Sequence, residues 1–253
     1  MNLEGLPIGT IVFAAFLAFC RIGACFMLMP GLSSARVPMQ VRLAVSAAVT
    51  WALLVHLWGS IVPAVDRTPG PMVLLVAAEL MIGATIGLVT RFYVLALQYA
   101  GTAMAMAMGF NAMAGTAIEE SDPQAALTAF ITLSVLMLLF IFDFHHQVVR
   151  ALVASYDVAP VAGLFDPQSA LIDLVDTLSA SFYVGIRLAS PFIAYGILAN
   201  LAIGFVNKLA PQIPVYFVSL PFVIAGGLIL LYFGIGVFLS LTVDGFLPST
   251  LGR

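Results

Sequence analysis

The chain has 253 residues, of which 62% are hydrophobic and only 8% charged, and its formal net charge is −3 at pH 7. That composition excludes an ordinary soluble domain, because it leaves too little polar surface to face water. The slight negative charge gives no electrostatic footing for nucleic acid, and a chain with two cysteines has no disulfide framework.

The start, MNLEGLPIGT, lacks a basic n-region and carries Glu4. The apolar run behind it is longer than a signal-peptide core, so it reads as a retained first span. Six apolar segments are long enough to cross a hydrocarbon layer as helices, near 8–29, 41–62, 71–97, 125–144, 180–206 and 215–241. They lack the in–out alternation of barrel strands and are too long for them. The expected fold is an all-α membrane protein, one domain of about six long helices arranged in hairpins. Cys20 and Cys25 fall on different faces of the first helix, which suits buried packing and not a disulfide or a metal site.

The first connection, PGLSSARVPMQVR, is short and carries Arg36 and Arg42; the second, VPAVDRTPGP, is a Pro/Gly turn. The third is the central stretch 101–123, GTAMAMAMGFNAMAGTAIEESDP, which has no bulky aliphatic residue before Ile118. Met104, Met106 and Met108 alternate with alanines, Met113 follows, and Gly101, Gly109 and Gly115 loosen the backbone. A pliable, Met-lined segment suits a seal that parts and recloses. The plainer reading is that small residues and Met let two helices pack closely.

The fourth connection, from His145 to about Leu178, is the longest. Val148, Val149, Leu152, Val153 and Tyr156 recur in it at helical spacing. Asp166 and Pro167 then read as an N-cap and a first helical position. Leu171, Ile172, Leu174, Val175 and Leu178 follow as an apolar face opposite Asp173 and Asp176, suited to an interface or a partner. The fifth connection, NKLAPQIPVY, carries Lys208 and two prolines. Six spans put both termini on one side, and the basic residues divide too evenly between the sides to orient the chain.

Arg21, Glu79, Arg91 and Arg187 interrupt the apolar runs. A charge at membrane depth costs at least about 2.5 kcal/mol, so each needs a partner, a wet cavity or a route to the interface. Glu79 and Arg187 sit at similar depth in parallel helices, which allows an ion pair; the favoured reading sets all four charges against neighbouring subunits. Gly83 and Gly87 permit close packing of the third helix. Asp143, His145 and His146 lie together in FDFHHQ, but neighbouring histidines on a helix diverge by about 100°, which disfavours a shared ion. They are expected to cap the fourth helix. The sequence carries neither a nucleophile motif nor a phosphate-binding glycine loop.

Four motifs in order resemble the FliR family, the R-type membrane component of the flagellar type III export apparatus. They are Arg21 with FMLMPGLSSARVPMQVRLAVSAAVT, then MGFNAMAGTAIEESDP, then FDFHHQVVRALVASYDVAP, then NKLAPQIPVYFVSLPFVIAGGL. The third supplies Asp143, His145, His146, Ser155, Tyr156 and Pro160, and the fourth Ala210, Pro211 and Gln212. The chain departs from the family at Phe144, where Gly is frequent, at Pro214, where Asn is common, and at Lys208, where Arg is frequent.

The resemblance implies a non-enzymatic protein in the bacterial inner membrane at the flagellar basal body; no cofactor and no bound metal are expected. It implies assembly with FliP-like and FliQ-like subunits into a helical export gate, and contact with an FlhB-like subunit. Residues 1–178 would pack like FliP and the hairpin 179–253 like FliQ, with helices held partly above the membrane plane as bent hairpins. The central loop would project into the channel and close it against unfolded exported proteins. Carried over by position, the plug is Gly109, Phe110, Asn111, Ala112, Met113, Ala114, Gly115, Thr116 and Ala117, flanked by Met104, Met106 and Met108. Lys208, Pro211 and Gln212 would form the tight turn, and Arg21, Glu79, Arg91 and Arg187 the subunit contacts. The alternatives are the homologous virulence-type export gate, a secondary transporter of small solutes, and an intramembrane enzyme built on Asp143 and the histidines.

Overall fold

The computed structural model describes residues 7–34, 37–64, 69–109, 126–141, 143–161 and 165–251. Every regular element among them is helical: α1 Ile8–Leu28, α2 Met39–Ile61, a short 3-10 turn Val62–Ala64, α3 Pro69–Ala107, α4 Ala126–Ile141, α5 Phe144–Val158, α6 Pro167–Leu209 and α7 Val215–Leu251. Five of them, α1, α2, α3, α6 and α7, are long and apolar enough to cross a membrane. The chain is an all-α membrane protein. Of the expected fourth span, the described part is α4, with 16 residues, and the positions on either side of it lie outside the described residues.

Two boundaries differ for physical reasons. The third helix runs on from the expected 97 to Ala107, because alanine and methionine are good helix formers. The amphipathic segment after Pro167 and the expected fifth span are one helix of 43 residues, α6. This helix continues through Pro191, which has no N–H for the carbonyl of Arg187; the Ser190 hydroxyl donates to that carbonyl at 2.9 Å instead. The start of α6 is capped as expected, with the Gln168 amide donating to Asp166 Oδ1 at 3.0 Å.

The chain divides into two compact units that are each discontinuous in sequence, one of residues 1–92 and 139–178, the other of 93–138 and 179–252. One boundary falls between Leu178 and Ser179, but the second unit also takes in 93–138. The first unit has a core where Ala14, Leu17 and Ala18 of α1 meet Leu54, Leu57, Trp58 and Ile61 of α2, closed by Tyr156 and Val161. The amphipathic reading of α5 holds: Val148, Leu152 and Tyr156 are buried along one face. Cys20 and Cys25 are buried and unbonded.

The outward faces remain greasy. Trp51 is 77% exposed, and Leu171, Ile172 and Val175 of α6 and Phe217, Phe222, Tyr232 and Phe233 of α7 are exposed as well. Only lipid or other apolar protein suits that much uncovered apolar surface.

Candidate functional site

Two places carry the residues singled out by sequence. The first is the end of α3, inside the second unit. Gly101, Met104 and Met106 are helical, and the helix runs to Ala107. Met104 and Met108 are fully buried, while Met106 is 61% exposed. Gly109 stops the helix at φ 79, a left-handed conformation that glycine adopts without a Cβ penalty. Its amide donates to the Met106 carbonyl at 3.1 Å, tightening the last turn.

Missing side chains let the neighbouring helices approach. A Cβ on Gly196 of α6 would lie 2.8 Å from the Ala107 carbonyl oxygen, and one on Gly185 2.9 Å from that of Ala96. A Cβ on Gly227 of α7 would lie 2.4 Å from Met108 Cγ, so the absent atom makes the slot that Met108 fills. The Tyr195 hydroxyl donates to the Val223 carbonyl at 2.7 Å and ties α6 to α7. Leu220 and Val223 approach Gly109 itself. The rest of the expected plug, Phe110, Asn111, Ala112, Met113, Ala114, Gly115, Thr116 and Ala117, lies outside the described residues.

The second place is a charge cluster in the first unit. Arg21 of α1 and Glu79 of α3 are 0% and 1% exposed. Arg21 Nε donates to Glu79 Oε2 at 2.6 Å and Nη2 to Oε1 at 2.7 Å, a two-pronged pair. Nη1 donates to Ser155 Oγ at 3.0 Å and Nη2 to the Ala159 carbonyl at 2.9 Å, so four of the five guanidinium donors have partners among the described residues. The guanidinium carbon lies 3.8 Å from the centre of the Tyr156 ring, in the range of a cation–π contact. Burial pushes the Tyr156 hydroxyl above its ordinary range. Helix α3 comes this close because Gly83 and Gly87 face α1, where a Cβ would meet the Arg21 and Cys25 carbonyl oxygens at 2.0 and 2.8 Å.

The sequence allowed Glu79 a pair with Arg187; both its carboxylate oxygens accept instead from the Arg21 guanidinium. Arg21 and Glu79 each meet an opposite charge inside the same chain. Sequence reading missed Ser155, Tyr156 and Ala159 as partners, although the motif ASYDVAP contains all three.

Arg91 is half-buried and Arg187 exposed. Lys208 is exposed in the last turn of α6, where a cation suits the helix end. Pro211 and Gln212 are exposed in the turn closed by Ile213 N donating to the Ala210 carbonyl at 3.2 Å. Asp143 is the one non-glycine residue with positive φ among the described residues, at 53°. It separates α4 from α5, so His145 and His146 open α5 and do not cap α4. Phe144 needs no glycine freedom, being helical and buried. The two imidazoles converge, with ring centres 4.3 Å apart, contrary to the divergence expected of an ideal helix.

Residues 12–247 match the model of bacterial export proteins, family 1. The chain belongs to that family, the FliR family. Its relatives include the flagellar biosynthetic protein FliR of Caulobacter vibrioides, 31% identical over 227 residues and 87% of each chain. That of Bacillus subtilis is 27% identical over 87% of this chain and 85% of its own. That of Escherichia coli is 25% identical over 85% of this chain and 82% of its own. The similarity to FliR-family proteins thus runs through both compact units.

Proposed function

We propose that the chain is a non-enzymatic component of the flagellar type III export gate in the inner membrane, and that residues 110–117 close its channel at rest. The observation that carries the first part is the family match over 12–247, with relatives named as flagellar biosynthetic proteins. The exposed apolar faces of α2, α6 and α7 suit FliP-like, FliQ-like and FlhB-like neighbours as well as lipid. The flagellar reading is preferred to the virulence-type one because the named relatives are flagellar.

Support for the plug comes from its root. Met104 and Met108 are seated and Gly109 turns the backbone, so the segment that follows leaves a fixed point. A segment rich in Gly, Ala and Met deforms around an extended polypeptide and closes again when it has passed. Residues 1–178 serve as the FliP-like part and 179–253 as the FliQ-like hairpin.

Gentle detergent purification from cells tests the assembly. Several small membrane proteins co-purifying at fixed ratio support a gate; a homogeneous homo-oligomer that moves a small solute in liposomes supports a transporter instead. Conductance of a gate lacking residues 110–117 tests the plug.

A further inference from the structure

One cluster is absorbed neither by the family motif's helix-end role nor by the plug. Asp143, His145 and His146 each offer a ligand atom, and these atoms all lie within 4.8 Å of one another. Asp143 Oδ1 is 3.4 Å from His146 Nδ1 and 4.0 Å from His145 Nε2. With metal–nitrogen bonds of about 2.1 Å, ligands on neighbouring corners of a tetrahedron stand about 3.4 Å apart. The Asp143–His146 pair already has that spacing, the Asp143–His145 pair needs a shift of well under an ångström, and the two imidazole nitrogens lie within 4.8 Å of each other.

The local fold explains why these side chains meet. Left-handed Asp143 turns the chain just before α5, and its carbonyl accepts from the His146 amide at 2.9 Å. The first turn of α5 therefore folds back over the residue that precedes it, bringing both rings to its carboxylate. His145 Nδ1 is buried with no hydrogen-bond partner among the described residues. The side chains of His145, His146 and Asp143 are 40%, 65% and 71% exposed, and water can complete the coordination.

We propose that Asp143, His145 and His146 bind one divalent transition-metal ion, zinc by ligand type, which pins the left-handed turn between α4 and α5. The ligand set is one carboxylate oxygen and two neutral imidazole nitrogens, a set that takes Zn²⁺ or Ni²⁺ and is too poor in oxygen for Ca²⁺ or Mg²⁺. The role is structural. The ion adds bonds across a turn whose backbone conformation is uncommon for a non-glycine residue.

The test uses the full chain, purified in detergent with its affinity tag removed and treated with chelator. Zn²⁺ is titrated by calorimetry, and metal content is measured after dialysis. One equivalent is expected in the native chain, with a rise in thermal midpoint that chelator reverses. D143N, H145Q and H146Q should each weaken uptake by more than about tenfold, and H145Q/H146Q should abolish it. Stoichiometric uptake that survives in H145Q/H146Q overturns the assignment. So does a native chain that takes up no zinc and shows no thermal shift in large molar excess, a result that does not depend on any variant folding.

Discussion

Around Arg21 the first unit ties α1, α3 and α5 together with one ionised group; around Met108 the second unit brings α3, α6 and α7 together by leaving atoms out. The first device is directional. Four hydrogen bonds fix the guanidinium, and a lost partner strands a charge where no water reaches. The second device rests on Gly185 and Gly196, which face backbone carbonyls, and on Gly227 with the flexible Met108 thioether, so small shifts are tolerated at the Met108 contact. The comparison teaches where each belongs. A brittle joint suits the part that keeps its shape, and a compliant one suits the helix end from which the central segment departs.

The largest effect should come from breaking the charged joint. Arg21→Ala or Glu79→Ala is expected to destabilise the purified chain by about 3–5 kcal/mol, because each leaves its partner's charge buried. Thermal unfolding in detergent measures this. Arg21→Met with Glu79→Met should recover most of the loss, and a double variant as unstable as the singles would contradict the ion pair as the cause.

Next in size is Gly83→Ala, whose Cβ would enter the Arg21 carbonyl with only backbone to give way. About 1–3 kcal/mol is expected, read from the same melts. Gly227→Ala should cost less, about 1 kcal/mol, because its Cβ meets Cβ, Cγ and Sδ of the Met108 side chain and not backbone. Equal losses at the two glycines would erase the contrast between rigid and compliant joints.

The smallest effect should come from Asp166→Ala at the start of α6, seen as a slight loss of helix signal by circular dichroism. The Ser169 hydroxyl, then the Gln168 amide, hold the Asp166 carboxyl below its usual range. A lowered folded-state value makes this contribution full above the ordinary carboxylate range, and it fades as pH falls through the lowered value. The native chain should therefore lose that increment in acid, and the alanine variant should show no such loss.

Much of the fold was legible because hydrophobic length and capping chemistry are local signals. The apolar runs, the amphipathic face of α5 and the Asp166 cap all follow from short-range rules. The continuity of α6 was not legible, since the replacement of one hydrogen bond at Pro191 by Ser190 depends on a side-chain rotamer. Nor was the partner of Glu79, because Arg21 lies 58 residues away and only helix adjacency brings the two together. Gly83 and Gly87, spaced one helical turn apart, were the signal for that adjacency. The convergence of His145 and His146 escaped an ideal-helix argument because Asp143 bends the chain just before them.

The central claim is that the segment hung from Gly109 seals a conduit. The direct measurement is ion conductance of the assembled gate in planar bilayers, with residues 110–117 deleted and Gly109 kept as the stop to α3. A gate of normal subunit composition that leaks ions at rest is the predicted result. A deletion gate of the same composition that stays as tight as the native one would contradict it.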